Sequence, residues 1–231
     1  MKTEAEKYGL EYNNVKNIIN TDKNSVWSIV CSKIEPNSRI LEFGPAKGYI
    51  TRYLKEEKNC SLTIVEVDSN CAKIASDFAE TTIVGDIETY NWKSQLRENK
   101  FDYIIFMDVL EHLKDPWQAL RESKLFLKPE GSILISLPNI GHNSVLIDLW
   151  NDKFEYQQLG ILDNTHLRFF TESSAKELIK IAGLNLISIE KSFKKENFSE
   201  NFFKGIPYLV KVFMTKRKNG NVYQFVLKVK K

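Results

Sequence analysis

Short apolar runs alternate with amphipathic helical patterns along most of this chain. Five of the runs lack the polar alternation of a half-exposed sheet, so we predict strands buried on both faces at residues 39–43, 62–67, 81–84, 101–107 and 131–137. Helical periodicity fills three of the intervals, at residues 48–57, 70–79 and 116–127. Strands that alternate with helices predict a doubly wound α/β fold, in which a mostly parallel sheet carries helices on both faces.

The N-terminal region has a different pattern. Residues 3–34 predict two helices, the second with an apolar stripe that includes Trp27 and Val30. We expect residues 1–37 to form a helical lid over a site that is built by the main domain, residues 38–231.

A long connection interrupts the alternation at residues 139–170 and carries several aromatic side chains. It is longer than an ordinary crossover, so we expect an insertion that shapes a substrate site. Thr171 then begins a helix that Gly183 ends, and two more strands are predicted at residues 185–193 and 221–229.

The segment Ile40–Gly48 joins the end of the first strand to a loop of small residues. Gly44 and Gly48 tolerate backbone angles closed to other residues, and Ala46 keeps the loop surface low, so a ligand can approach the main chain. A dinucleotide fingerprint reads G-x-G-x-x-G and faces a pyrophosphate. This loop reads E-x-G-x-A-x-G, and the carboxylate of Glu42 favours a cationic ligand such as a sulfonium or an amine. Taken alone, the loop also fits a plain strand-to-helix turn.

Three later segments extend the pattern, because Leu62–Asp68, Gly85–Ile87 and Phe101–His112 each bring an acid to the end of a predicted strand. Across roughly residues 38–138 the chain therefore resembles the class I S-adenosylmethionine-dependent methyltransferases. The resemblance implies a Rossmann-like sheet of seven strands with an antiparallel last strand. It also implies S-adenosylmethionine as cofactor and S-adenosylhomocysteine as product. Ala46 departs from the family, which more often has glycine there, and we expect alanine to fit if its φ is negative.

The cofactor site is expected where the parallel strands end, since their carboxyl ends share one edge of the sheet. The predicted cofactor-binding residues are Glu42, Gly44, Ala46, Gly48, Glu66, Asp86, Ile87, Asp108 and Val109.

Each acid has an expected partner in that site. Glu66 resembles the family's ribose-binding acid, which accepts hydrogen bonds from the diol. Asp86 is expected to accept from the adenine amino group with Ile87 beside the ring, although an ordinary turn aspartate is the alternative. Asp108 and Val109 are expected to flank the methionine moiety. Asp68, by contrast, is predicted to cap the following helix.

Two histidines are candidates for the acceptor side. Transfer to a hydroxyl requires a group that removes its proton, and histidine titrates in the useful range. We predict His166 as the base and His112 as the second choice, although both also fit structural roles. Of the adjacent Glu111 and His112, at most one is expected to face the pocket.

Three further residues are predicted to bind the substrate. The segment 162–171 resembles, more loosely, methyltransferases associated with glycan and sugar-nucleotide pathways. Asp163 is expected to orient the imidazole of His166, Arg168 to hold a phosphate or carboxylate, and Tyr12 to close over the pocket. Anchoring of the insertion to the sheet is the alternative role for His166 and Arg168.

Composition excludes several other classes of protein. The three cysteines are widely spaced and form no C-x-x-C pair, which predicts a reducing cytoplasm, and no apolar run is long enough to cross a membrane. The histidines share no ligand spacing with each other or with the cysteines, so no metal is expected.

Residues 202–231 carry eight lysines and arginines and no acid. This segment predicts either a core-facing helix followed by a strand, or weak contact with an anionic membrane surface, without specific nucleic-acid binding.

These features together predict an S-adenosylmethionine-dependent methyltransferase that acts on an oxygen of a sugar, a glycan precursor or another polar metabolite. Three alternatives stay open. One is methylation of an aromatic or quinone-like small molecule, another is a cofactor-binding module without catalysis, and the outside option is a dehydrogenase that uses NAD. The sequence makes no prediction of the oligomeric state.

Overall fold

A computed structural model describes residues 11–96, 100–193 and 206–231. It contains one sheet whose strands are β1 Arg39–Phe43, β2 Ser61–Glu66, β3 Thr81–Val84, β4 Phe101–Met107, β5 Leu127–Pro138, β6 Asn185–Ser192 and β7 Gln224–Lys230. The helices are α1 Tyr12–Thr21, α2 Val26–Ser32, α3 Tyr49–Lys58, α4 Ser69–Ala75, α5 Trp92–Leu96, α6 Pro116–Ser123, α7 Asn143–Trp150, α8 Glu172–Ile181 and α9 Tyr208–Lys216.

The strands lie in the order β3-β2-β1-β4-β5-β7-β6. Strands β1 to β5 pair in parallel, whereas β7 inserts antiparallel between β5 and β6. This topology confirms the predicted doubly wound α/β fold with an antiparallel last strand. The strand order reverses between β1 and β4, and such a switch point opens a crevice at the carboxyl ends of the strands.

Apolar layers cover both faces of the sheet. One layer contains Phe43 stacked on Phe106, with ring centroids 4.7 Å apart, and Trp92 edge-on to Phe43. The other layer contains Ile34 and Leu54, and α1 and α2 pack into it. The described part of the predicted lid is therefore attached to the core, and residues 1–10 lie outside the described residues.

Three predicted boundaries are wrong by several residues. The helix predicted at 70–79 ends at Ala75, and the one predicted at 116–127 ends at Ser123, each followed by a short 3-10 turn. Strand β5 begins at Leu127 rather than at residue 131, and residues 128–131 form an irregular stretch in which four residues of β5 lie opposite the single residue Asp102 of β4. Pro129 lies in that stretch, where a missing N–H removes no regular pairing.

The C-terminal region has an exposed helix and a buried strand. Strand β7, Gln224–Lys230, confirms the strand predicted at residues 221–229 and is largely buried. The core-facing interpretation of the helix before it is wrong, because Tyr208, Leu209 and Phe213 of α9 are exposed while Met214 alone of this helix is buried. Residues 202–205 of the basic segment lie outside the described residues. No helix in the ranges that the structure describes combines the length and the apolar character needed to span a lipid bilayer.

Candidate functional site

A cavity of about 310 Å³ opens at the carboxyl edge of the sheet. Its lining includes Glu42, Glu66, Asp86 and Asp108, which we call the acid edge. It also includes Glu111, His112, Asp163 and His166, which we call the histidine wall. The sequence therefore identified residues that the fold brings into one cavity.

The glycine loop follows β1 with three left-handed residues, at Gly44 (φ +64°), Ala46 (φ +46°) and Gly48 (φ +74°). A Cβ at Gly44 would lie 2.8 Å from Cγ2 of Val109, and a Cβ at Gly48 would lie 2.8 Å from Cβ of Ala75. Both glycines are therefore required by backbone angle and by space.

Ala46 does not have the negative φ that we expected for an alanine at this position. Its φ is positive, a conformation that is costly for any residue with a Cβ. The Ala46 N–H donates to Oε2 of Glu66 at 2.8 Å, and this charge-assisted bond holds the strained turn in place.

Glu42 lies at the bottom of the cavity and is 3% exposed. Its Oε2 accepts a hydrogen bond from Oγ1 of Thr51 at 2.8 Å. Burial raises the pKa of Glu42 to about 7, although the Thr51 bond opposes the shift. A cationic ligand in the cavity would favour the ionised carboxylate, which agrees with the predicted attraction.

Glu66 organises the loops around it with both of its oxygens. Besides the Ala46 bond, its Oε1 accepts from the Asp68 N–H at 2.9 Å. Asp68 accepts from the N–H groups of Asn70 and Cys71, which confirms its predicted role as the helix cap. Carboxylate oxygens have further lone pairs, so these bonds leave Glu66 with acceptor capacity toward the cavity.

Asp86 and Ile87 follow β3 on the same side of the cavity. One carboxylate oxygen of Asp86 accepts from the Glu88 N–H at 2.8 Å, which is the turn role weighed as its alternative. Asp86 is nevertheless exposed and lines the cavity together with the buried Ile87, and their contacts to an adenine stay a prediction.

Asp108 directly follows β4 and has a left-handed conformation with φ +53°. Its Oδ1 accepts from Oγ of Ser136 at 2.6 Å and from Nε2 of Gln224 at 2.8 Å, while its own N–H donates to Ser136 Oγ at 2.9 Å. Burial raises the pKa of Asp108, and the bonds from Ser136 and Gln224 act in the opposite direction. The next residue, Val109, also lines the cavity.

The histidine wall joins two segments that are far apart in the sequence. The N–H groups of Leu167 and Arg168 both donate to the Glu111 carbonyl, at 2.8 and 2.9 Å, and so attach the insertion to the turn after β4. The rings of His112 and His166 consequently lie with centroids 4.7 Å apart. Glu111 and His112 both line the cavity, so the expectation that at most one of them faces it is wrong.

Backbone carbonyls orient both imidazoles. Nδ1 of His112 lies 3.1 Å from the Thr165 carbonyl, and Nδ1 of His166 lies 3.1 Å from the Ile161 carbonyl. Because a carbonyl oxygen only accepts, each Nδ1 carries a hydrogen, and in the neutral imidazole the lone pair is then on Nε2.

Asp163 is buried beneath this arrangement. Its Oδ1 accepts from the N–H and the hydroxyl of Thr165, at 2.9 and 2.6 Å. Asp163 thus fixes the residue whose carbonyl orients His112, and the carbonyl of Ile161 orients His166. A direct role of Asp163 in substrate binding stays a prediction.

Two predicted substrate-binding residues are placed elsewhere. The Arg168 guanidinium donates to the Lys114 carbonyl and lies 5.7 Å from the Trp117 ring centroid. Arg168 therefore anchors the insertion, which is the alternative role given for it above. Tyr12 is buried, donates to Oε2 of Glu56 at 2.9 Å and lies against Arg52. Neither residue lines the cavity, and both predictions are corrected.

The aromatic side chains of the insertion also lie outside the cavity. Trp150, Phe154 and Tyr156 are exposed, and Phe170 is buried in the core. The insertion instead contributes Gly160 with the two residues of the histidine wall. From the N-terminal helices, Val15 and Trp27 complete the apolar part of the lining.

Two contributions were missed by the sequence analysis. Gln224 and Ser136 hold Asp108, and Gln224 is a polar residue at the start of an apolar strand, which was a usable signal. Glu111, His112 and His166 place ligand-capable atoms within 4.8 Å of one another. Sequence spacing had excluded metal chemistry, but residues 54 positions apart meet here through the fold.

A model of the methyltransferase domain matches residues 27–189 of this chain. Among curated proteins, the ribosomal RNA small subunit methyltransferase A of Chlorobium chlorochromatii is 27% identical over 50% of this chain and 48% of its own length. The ubiquinone biosynthesis O-methyltransferase of Coxiella burnetii is 22% identical over 65% of this chain and 64% of its own length. The chain thus spans about half to two thirds of the length of these curated relatives.

A solved structure of similar fold is a SAM-dependent methyltransferase from Archaeoglobus fulgidus. It has a TM-score of 0.64 and 16% identity, covering 98% of this chain and 97% of that protein. At this identity the likeness shows a shared fold.

Proposed function

Because the chain belongs to the methyltransferase-domain family, we propose that it moves a methyl group from S-adenosylmethionine to a hydroxyl oxygen of a sugar, a glycan precursor or another polar metabolite. One observation carries the proposal: four acids at or near strand ends line the same cavity as two oriented histidines. The three buried cysteines, none of which forms a disulfide, agree with a reducing cytoplasm, which is part of the proposal.

The residues of the acid edge fit the charges and hydrogen-bond donors of S-adenosylmethionine. Glu66 retains acceptor capacity for a ribose diol, and Asp86 presents its carboxylate beside Ile87 for an adenine amino group. The buried Glu42 and Asp108 are carboxylates that gain from a nearby cation. When bound, the cofactor supplies a methyl group on a positively charged sulfur, which is an activated leaving group.

The histidine wall supplies the group that handles the acceptor's proton. His166 has its Nδ1 hydrogen committed to the Ile161 carbonyl, so Nε2 is the nitrogen that takes the hydroxyl proton. The acceptor oxygen forms its bond to the methyl carbon as the carbon–sulfur bond breaks, with the electron pair staying on sulfur. The imidazole of His112 lies beside that of His166 and supports this arrangement. Alignment of acceptor and methyl carbon supplies much of the rate, since near-contact positioning contributes several kcal/mol.

The test has two stages. Calorimetric titration with S-adenosylhomocysteine should give one site per chain, and the absence of binding by folded protein would refute the proposal. Labelled cofactor is then incubated with polyhydroxylated acceptors such as sugar nucleotides, with phenols, and with RNA as a third arm. Label in the first arm supports the proposal.

A second candidate is transfer to an aromatic or quinone-like acceptor. The apolar part of the lining, with Val15, Trp27 and Leu113, favours it, as does the relative that is named a ubiquinone biosynthesis O-methyltransferase. The exposed aromatics of the insertion do not support it. Label in the phenol arm alone would select this candidate, and tight cofactor binding without any product would select a non-catalytic module.

A further inference from the structure

Three residues of the histidine wall form a cluster with the chemistry of a metal site. Glu111, His112 and His166 each offer one ligand atom, and these atoms lie within 4.8 Å of one another. We propose that this cluster binds one divalent first-row cation, such as Zn²⁺ or Mn²⁺, at the acceptor end of the cavity.

The donor set fits such a cation. A set of two imidazoles and one carboxylate suits first-row divalent metals. Ca²⁺ and Mg²⁺, by contrast, prefer ligand sets made only of oxygens. Ligand atoms around such a cation lie about 3–4 Å apart when the metal–ligand bonds are about 2.1 Å. The present spacing therefore needs only a small closure of the three side chains around the ion.

The surroundings of the two histidines match those of metal ligands. A ligating histidine generally donates its second ring N–H to a carbonyl or carboxylate, which fixes the ring and keeps the other nitrogen available. His112 and His166 do this through the carbonyls of Thr165 and Ile161. Thr165 is in turn held by two hydrogen bonds to Asp163, so the support extends one layer further.

The backbone also holds the cluster together. Glu111 receives the N–H groups of Leu167 and Arg168 on its carbonyl, which ties the segment that carries His166 to the segment that carries the other two ligands. All three side chains line the cavity, so a bound cation would keep open positions toward it.

The cation would change the role of the histidines, and this part of the inference rests on the proposed function. A hydroxyl oxygen bound to the cation would lose its proton more readily, with the proton passing to water. A histidine whose Nε2 ligates a metal is unable to take that proton as well. With the cation bound, the cation therefore takes the place of His166 in activating the acceptor, whereas His166 is the base in the metal-free protein.

The test uses Co²⁺ as a spectroscopic probe on the full chain. After chelator treatment and dialysis, Co²⁺ is titrated while the visible absorption of the protein-bound ion is followed. We expect one ion per chain, with affinity at least tenfold weaker in Glu111→Gln, His112→Asn and His166→Asn. Glu155→Gln removes an exposed carboxylate of the same insertion and should bind Co²⁺ like the parent.

Binding of S-adenosylhomocysteine in the presence of chelator serves as the fold control for each variant. Absence of one-to-one Co²⁺ binding in the parent, or equal affinity in parent and cluster variants that still bind S-adenosylhomocysteine, would overturn the inference. Failure of the parent to bind S-adenosylhomocysteine would count against the proposed function, while leaving the Co²⁺ result to decide the cation site.

Discussion

The acid edge and the histidine wall face the same cavity, but the chain builds them in different ways. Each member of the acid edge lies within the last two residues of a strand or within two residues after it, and Glu66 bonds residues that are 2 and 20 positions away. Asp108 is the exception to this locality, because Gln224, 116 positions away, also donates to it. The histidine wall depends on contacts between residues more than 50 positions apart, such as Nδ1 of His112 with the Thr165 carbonyl. A binding edge can thus be specified by the fold itself, whereas the reactive side requires an insertion that docks correctly.

The sharpest test of this difference is the loss of the imidazole from the wall. We expect His166→Ala to lower methyl transfer by about 10²- to 10⁴-fold, the range contributed by a group that assists proton removal. Affinity for S-adenosylhomocysteine should change less than threefold, because the acid edge is untouched. Single-turnover rates and calorimetry measure the two effects. A matching loss of cofactor affinity would show that the two sides are not separable.

The reverse experiment removes the carboxylate that organises the acid edge. Glu66→Ala leaves the Ala46 and Asp68 N–H groups without their acceptor, and each such loss costs about 1–3 kcal/mol. We expect affinity for S-adenosylhomocysteine to fall about 10²- to 10³-fold, together with a lower melting temperature. Glu66→Gln should recover part of both losses. Unchanged affinity in the alanine variant would remove Glu66 from the cofactor site.

The pKa of Glu42 gives the acid edge a pH signature. Its folded-state pKa of about 7 lies above its ordinary value of 4.5, so its contribution to stability is fully present below about pH 4.5 and is lost as the pH rises toward 7. The loss amounts to about 3 kcal/mol in the free energy of unfolding. Urea denaturation at several pH values should show this slope in the parent and a reduced slope in Glu42→Gln. Parallel curves for the two proteins would contradict the raised pKa.

The glycine loop tests whether the acid edge depends on local geometry. We expect Gly44→Ala to destabilise the fold by about 2–3 kcal/mol, because it adds a left-handed penalty to a clash with Val109. In a Val109→Ala background the clash disappears, and the same change should cost only about 1–2 kcal/mol. Equilibrium unfolding of the four proteins gives the comparison. An equal cost in both backgrounds would show that Val109 does not limit the loop.

The smallest expected effect concerns the anchor of the insertion. Arg168→Ala removes hydrogen bonds to the Lys114 carbonyl at an exposed position, which should cost about 1 kcal/mol in stability. Once an acceptor is known, its KM should change less than twofold. A tenfold rise in KM without loss of stability would support the prediction that Arg168 binds the substrate.

Much of the fold followed from the sequence because its signals are local. Buried parallel strands appear as continuous apolar runs, and each acid of the acid edge lies within two residues of the end of such a run, as Glu42 and Asp86 show. The capping role of Asp68 was predictable for the same reason, since the donors it satisfies are the next residues along the chain.

The remaining features depend on docking, which no local pattern encodes. The meeting of His112 with His166 is decided by two backbone bonds to Glu111. Tyr12 and Arg168 were misassigned because an aromatic or cationic residue near a loop looks the same whether it binds a ligand or a neighbouring segment. The positive φ of Ala46 occurs with a hydrogen bond from its N–H to the carboxylate of Glu66, 20 residues away.

The hydrogen bond between Gln224 and Asp108 determines at which stage of folding the cavity becomes complete. It joins the first residue of β7 to the end of β4 across 116 positions, so the base of the cavity is complete only after the last strand has entered the sheet. A ligand that binds the completed cavity more tightly than the incomplete one must therefore stabilise the pairing of β7 with the sheet. Amide hydrogens of residues 224–230 should therefore exchange more slowly when S-adenosylhomocysteine is bound, although the ligand lies at one end of the strand.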